Sequence, residues 1–209
     1  MPVDAGASRH GTVFQREQYA AGGIGRAYWD YRDEKIIAGI GDGRRILDVG
    51  CGEGILLEKL AARLPGCEIT GVDLDPVNIR ICRELGLPVV EGGAYGLPFP
   101  DGGFDTVLFI EVVEHLSEPE RALAEIHRVL RSGGRLVVLF PNDLAFKLAR
   151  LATFKFREAF YDAGHLRQWT PYDMRKSLER SGFRTVRQES IPLPVFALSL
   201  HHLVVAEKI

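Results

Sequence analysis

The run Ile46 to Gly54, ILDVGCGEG, ends an apolar segment in Asp48 and then places glycines at 50, 52 and 54. Alternate glycines just past a strand permit a turn that side chains would block. They let a ligand approach bare backbone and leave the N–H groups of the next helix's first turn unobstructed. The acid narrows the ligand. A dinucleotide site has the spacing G-x-G-x-x-G, so that N–H groups meet a pyrophosphate, and a carboxylate at Asp48 would repel that phosphate. Here the spacing is G-x-G-x-G, with Ile55 where the third glycine or alanine would fall. A ligand with positive charge near the turn suits the residues better than NAD; a tight turn with no ligand is the plain alternative.

Four further side chains could do chemistry. Asp73 ends the apolar run EITGVDL and Glu111 ends FDTVLFIE, both at strand-end positions. His115, in EVVEHL, follows directly and lies in the pKa range of a usable base, or it packs within its own turn. His165, in AGHLRQW, ranks slightly above it as an acceptor-side contact if its segment folds over the site. Cys51, Cys67 and Cys82 lack metal-ligand spacing, so no metal is expected.

The elements that must position these residues are legible from periodicity. Strand-like runs 44–50, 68–74, 87–92, 104–111 and 135–141 alternate with helical patterns. ILLEKLAARLP puts Leu56, Leu57, Leu60 and Leu64 on one side, and Asp75 with Pro76 opens a second helix. Ser117 and Glu120 have capping-box spacing before RALAEIHRVLR, which Ser132, Gly133 and Gly134 should stop. Alternation of this kind specifies an open parallel sheet covered on both faces. Ahead of it, residues 14–40 read as one or two helices interrupted at Gly22 to Gly25. After it, residues 142–169 are too long for a plain connection. They carry Lys147, Arg150, Lys155, Arg157 and Arg167 against Asp143, Glu158 and Asp162, and Leu148, Leu151 and Ala152 fall on one helical side. A solvated helix and a lid over the site are equally good readings. Thr170 and Pro171 open a last helix, and FRTVRQES and HHLVVAEKI close the sheet as an antiparallel pair.

In this order the motifs LDVGCGEG, GVDLD, FDTVLFIEVVEHL and RVLRSGGRLVVLFPN resemble those of class I S-adenosylmethionine-dependent methyltransferases, of the type 11, ubiquinone-biosynthesis-like group acting on small molecules. The resemblance is strong over residues 44–141 and looser over GHLRQWTPYDMRKSLERSGF. It implies an α/β fold, a doubly wound, mostly parallel seven-stranded sheet with an insertion after the fifth strand. It implies S-adenosylmethionine as cofactor, with Gly50, Cys51 and Gly52 against its methionine part and Asp48 on its ammonium group. Asp73 would take the ribose hydroxyls, Leu74 would cover the adenine, and Glu111 would lie near the methionine moiety. The family's usual acidic adenine contact is replaced here by Gly93, followed by Ala94. In related enzymes a leading helix closes over the cofactor, which makes Tyr28, Trp29 and Arg32 a second closing element, with an arginine there on the cofactor's carboxylate.

Composition bounds the partners. Twenty-six Lys plus Arg against 28 Asp plus Glu give no overall field for nucleic acid or an anionic membrane. No secretory signal or long apolar span is evident, which reads as a cytoplasmic chain with reduced thiols. We expect one domain: a helical leader (1–43), a cofactor core (44–141), a lid-like insertion (142–169) and a closing unit (170–209). The expected activity is methyl transfer to a small-molecule acceptor at O, N or C. The alternatives are a methyltransferase acting on RNA or protein, and a non-catalytic nucleotide-binding module of the same fold.

Overall fold

The computed structural model describes residues 15–152 and 164–209. Seven strands form one sheet in the order β3-β2-β1-β4-β5-β7-β6. They are β1 (Arg45–Val49), β2 (Glu68–Asp73), β3 (Val89–Glu91), β4 (Phe104–Ile110), β5 (Leu130–Pro141), β6 (Phe183–Ile191) and β7 (His201–Lys208). The pairs among β1 to β5 are parallel, and β7 inserts antiparallel between β5 and β6. The seven-stranded, mostly parallel sheet expected from the motifs is therefore present.

The helices are α1 (Gln15–Ala20), α2 (Gly23–Ile40), α3 (Ile55–Arg63), α4 (Pro76–Glu84), α5 (Pro119–Val129), α6 (Asp143–Ala152) and α7 (Pro171–Arg180). The leader does break near Gly22, which adopts φ 76°. Asp75 caps α4 by accepting from the Val77 N–H, and Thr170 caps α7 by accepting from the Asp173 N–H. Each central strand divides its side chains between two cores. Leu47, Val107, Phe109, Leu136, Val138 and Phe140 pack with Leu123, Ile126 and Leu178. Ile46, Leu108, Val137 and Leu139 pack on the other face with Ile36, Ile40, Leu57 and Leu60. Burial on both faces is why these strands read as apolar runs rather than alternating ones.

Two local expectations are corrected. The capping box at Ser117 and Glu120 does not form: the N-cap is Glu118, because Pro119 takes the first helical position. Helix α5 ends at Val129, before Ser132 to Gly134, and Lys208 Nζ donates to the His127 and Leu130 carbonyls there, at 2.6 and 2.8 Å. In α6, Leu148 is exposed, as is Leu144, whereas Ala145 is buried. The side chains of Leu151 and Ala152 lie outside the described residues. Lys155, Arg157, Glu158 and Asp162 lie outside the described residues. No described helix is long and apolar enough to cross a membrane.

Candidate active site

Strand order reverses between β1 and β4, which opens a crevice at their carboxyl ends. The glycine turn stands on one side of it. Gly50 has φ 76°, and a Cβ there would lie 2.5 Å from Val112 on the β4 side, so only glycine fits. The turn's N–H groups are not left for a ligand, however. Those of Gly50 and Cys51 donate to the Val72 carbonyl at 2.8 and 3.1 Å, and that of Gly52 donates to Asp73 Oδ2 at 2.8 Å. Glycine here serves backbone shape and close approach. Helix α3 starts without a side-chain cap, so its dipole end faces the crevice. Cys51 is buried beside Cys82, whose thiol, together with burial, pushes Cys51 up; it stays a neutral packing group.

Asp48 is 2% exposed and shares its face of β1 with Ile46, toward α2. No described residue donates a hydrogen bond to it. Burial pushes its carboxyl up to about 7, aided by the charges of Asp73 and Asp33 and opposed by Arg32. A buried acid lacking a partner fits a site made for a cationic group. Asp73 is also buried but already engaged. Besides Gly52, it accepts from the Asp75 N–H at 2.8 Å and the Asn78 amide at 3.2 Å, both on Oδ1. Its remaining acceptor capacity is mainly on Oδ2.

At the other end of the crevice Leu74 is 54% exposed. A Cβ at Gly93 would meet only Leu74 Cδ1, at 3.8 Å, so the position has room for a side chain that the sequence does not supply. Ala94 packs against the core from this side.

Glu111 begins the opposite wall. It holds φ 54°, a left-handed conformation costly for a non-glycine residue. Its surroundings fix it there: its N–H donates to the Leu139 carbonyl, its Oε2 accepts from Arg32 at 2.9 Å, and its Oε1 meets His201 Nε2 at 2.6 Å. Burial pushes its carboxyl up, but Arg32 and His201 outweigh burial and hold it well below the usual range. Arg32 is itself buried and bonded to Asp33. Through these bonds Arg32 ties the leading helix α2 into this wall. His201, which the sequence reading did not single out, arrives because antiparallel β7 starts where β5 ends, pairing His201 with Pro141. Tyr28 joins it through a 2.6 Å hydrogen bond to Nδ1. Glu53 was also missed; its carboxylate accepts from the Gln15 and Arg16 N–H groups and seats α1 beside the glycine turn.

His115 and His165 are brought together, with ring centroids 4.8 Å apart and nearly perpendicular planes. The Leu166 and Arg167 N–H groups donate to the Glu114 carbonyl, which docks the end of the insertion onto the turn at Val113–His115. His115 Nδ1 lies 3.2 Å from the Gly164 carbonyl, and His165 Nδ1 lies 2.8 Å from Asp143 Oδ1. Burial and His165 lower the pKa of His115. Glu114 is 2% exposed, and among the described residues neither of its carboxyl oxygens has a hydrogen-bond partner; burial, with the charge of Glu111, pushes this carboxyl well above the usual range. The sequence reading named both histidines but not Glu114 beside them.

Comparison with known proteins agrees with this geometry. A methyltransferase-domain family profile matches residues 47–138. The demethylmenaquinone methyltransferase of Thermus thermophilus is 45% identical over 105 residues, covering 47% of this chain and 48% of that protein. The chain spans about half the length of the curated relatives it matches. Among solved structures, a Thermotoga maritima methyltransferase described as a possible histamine N-methyltransferase superposes with a TM-score of 0.73. It is 22% identical, with 93% of this chain and 94% of that one covered. The [4+2]-cyclase SpnF superposes with a TM-score of 0.69 at 23% identity, with 89% and 85% covered, so the fold alone does not specify the reaction. Taken with the ordered motifs and the buried acid behind the glycine turn, these likenesses show that residues 47–138 are similar to a methyltransferase domain and that the chain shares the fold of solved methyltransferases.

Proposed function

We propose that the chain works as a single catalytic domain, transferring a methyl group from S-adenosylmethionine to a small-molecule acceptor. The observation that carries the reading is Asp48, a buried carboxyl without a hydrogen-bond donor at the turn where a cationic ligand group would arrive. The glycine turn at Gly50, Cys51 and Gly52 would pack against the methionine part of the cofactor, and Asp48 would take its ammonium. Asp73 would accept from the ribose hydroxyls, with Asn78 yielding its bond if both hydroxyls bind Oδ1 and Oδ2. Leu74 and Ala94 would flank the adenine beside Gly93. Glu111, clamped by Arg32 and His201, would set the wall near the methionine moiety. When bound, the cofactor supplies an electrophilic methyl; the protein's task is to hold the acceptor in line and exclude water. The curated relatives' acceptors, a demethylmenaquinone and a fatty acid among them, favour a small molecule over RNA or protein. Calorimetry tests the reading: S-adenosylmethionine and S-adenosylhomocysteine should bind and NAD should not. Binding of NAD with no response to either methionine-derived ligand would overturn it.

A further inference from the structure

We propose that Glu114, His115 and His165 form a binding site for one first-row divalent cation, oriented by Asp143 and open toward the acceptor. One potential ligand atom from each of the three residues lies within 4.8 Å of the others. Donors around a zinc-sized ion stand about 3–4 Å apart, so the group needs to close by about 1–2 Å at most.

Three observations point to a ligand rather than to packing. First, both Glu114 oxygens are sealed from solvent and unpartnered among the described residues, an arrangement that a bound cation would complete by displacing the proton that burial favours there. Second, the partners of the imidazoles fix their tautomers. The Gly164 carbonyl and the Asp143 carboxylate can only accept, so both Nδ1 atoms carry the proton and both Nε2 lone pairs are free. Third, Asp143 on His165 Nδ1 is the carboxylate–histidine arrangement that orients metal-ligating imidazoles and raises their basicity. Two imidazoles and one carboxylate suit zinc, iron, cobalt or manganese better than the oxygen-only preference of calcium or magnesium.

Three protein ligands leave coordination positions unfilled. The site lies just past β4, three residues after Glu111, and those positions are assigned to the acceptor. This consequence rests on the methyl-transfer reading: an acceptor with a hydroxyl or other oxygen donor would be held through the cation, which favours loss of its proton to water. The acceptor class is thereby narrowed to oxygen-bearing small molecules.

The probe is Co2+, titrated into full-length protein first stripped with a chelator and dialysed. One ion per chain is expected, with visible absorption typical of imidazole-bound cobalt and displacement by Zn2+. Acetohydroxamate, a bidentate oxygen ligand, should shift that spectrum. His165→Ala and Glu114→Gln should each weaken uptake at least tenfold, and Asp143→Asn by about 10- to 100-fold. Far-UV circular dichroism and S-adenosylhomocysteine binding, both measured without metal, establish that each variant is folded. Failure to take up Co2+ below millimolar concentration, or uptake equal in His165→Ala and Glu114→Gln, overturns the site. Uptake without a hydroxamate shift overturns its open positions. Cobalt binding in a protein that binds neither methionine-derived ligand leaves the site standing and removes the proposed function instead.

Discussion

The two walls of the crevice are built in opposite ways. On the β1 side, Asp48 to Gly54 form the turn from one continuous stretch, tied to its neighbour by Val72 and Asp73 on β2. On the β4 side, Glu111 is held by Arg32 from α2 and His201 from β7, and His115 by the end of the insertion. The first wall carries its shape in local backbone geometry and keeps one buried acid without a donor. The second holds a strained residue in place with partners gathered from the whole chain. A self-contained turn should fail only in ligand binding, whereas an assembled wall should fail in stability as well.

Asp48 gives the largest expected effect. Its carboxyl is raised from an ordinary value near 4 to about 7, so the protonated form is favoured by the fold. The stability this gives the empty protein is fully present below pH ~4 and lost as pH rises through about 7, on the order of 4 kcal/mol in all. Asp48→Asn should therefore raise the unfolding midpoint at pH 8 and change it little at pH 4. Cofactor affinity in the native protein should tighten up to about pH 7 and then level, and the variant should lose that dependence. A melting curve unchanged at pH 8 would mean that Asp48 is ionised and compensated.

Asp73→Ala should weaken S-adenosylhomocysteine binding by two or more powers of ten, since each charge-assisted hydrogen bond is worth ~1.5–3 kcal/mol. Asp73→Asn keeps the shape and should lose less. Equal affinity across the three proteins by calorimetry would take Asp73 out of the site.

Glu111→Gln tests the other wall. Removing the charge leaves buried Arg32 with Asp33 alone, and a loss of about 2 kcal/mol is expected in denaturant unfolding. His201→Phe should couple with it in a double-mutant cycle. Strict additivity would mean that the wall is not one unit. The smallest effect belongs to the adenine end. Gly93→Asp fills space the structure leaves open and should tighten cofactor binding several-fold, about 1 kcal/mol. Weaker binding would show that the position must stay bare.

The same contrast explains what could be read in advance. The sheet, the glycine turn, Asp73 and the Asp75 and Thr170 caps follow from neighbouring residues, and the structure places each where its sequence context puts it. His201 could not be found that way, nor could the pairing of Arg32 with Glu111, because register and crossing geometry, not spacing, bring them together. Glu114 hid inside a recognised motif, since nothing local shows that a glutamate is sealed from water. The end of α5 was misplaced because Lys208, 81 residues from His127 in sequence, satisfies its last carbonyls.

The position of β7 also sets an order of assembly. β6 joins the sheet only through β7, and Tyr28 meets His201 across a separation of 173 residues. Closing so long a loop carries an entropic cost that must precede its reward, which slows folding. Until β7 docks, β5 presents a bare, apolar edge and Tyr28 on α2 lacks His201. A nascent or partly unfolded chain is thus exposed to strand pairing with other chains at that edge, and a single late event both shields it from aggregation and completes the rim.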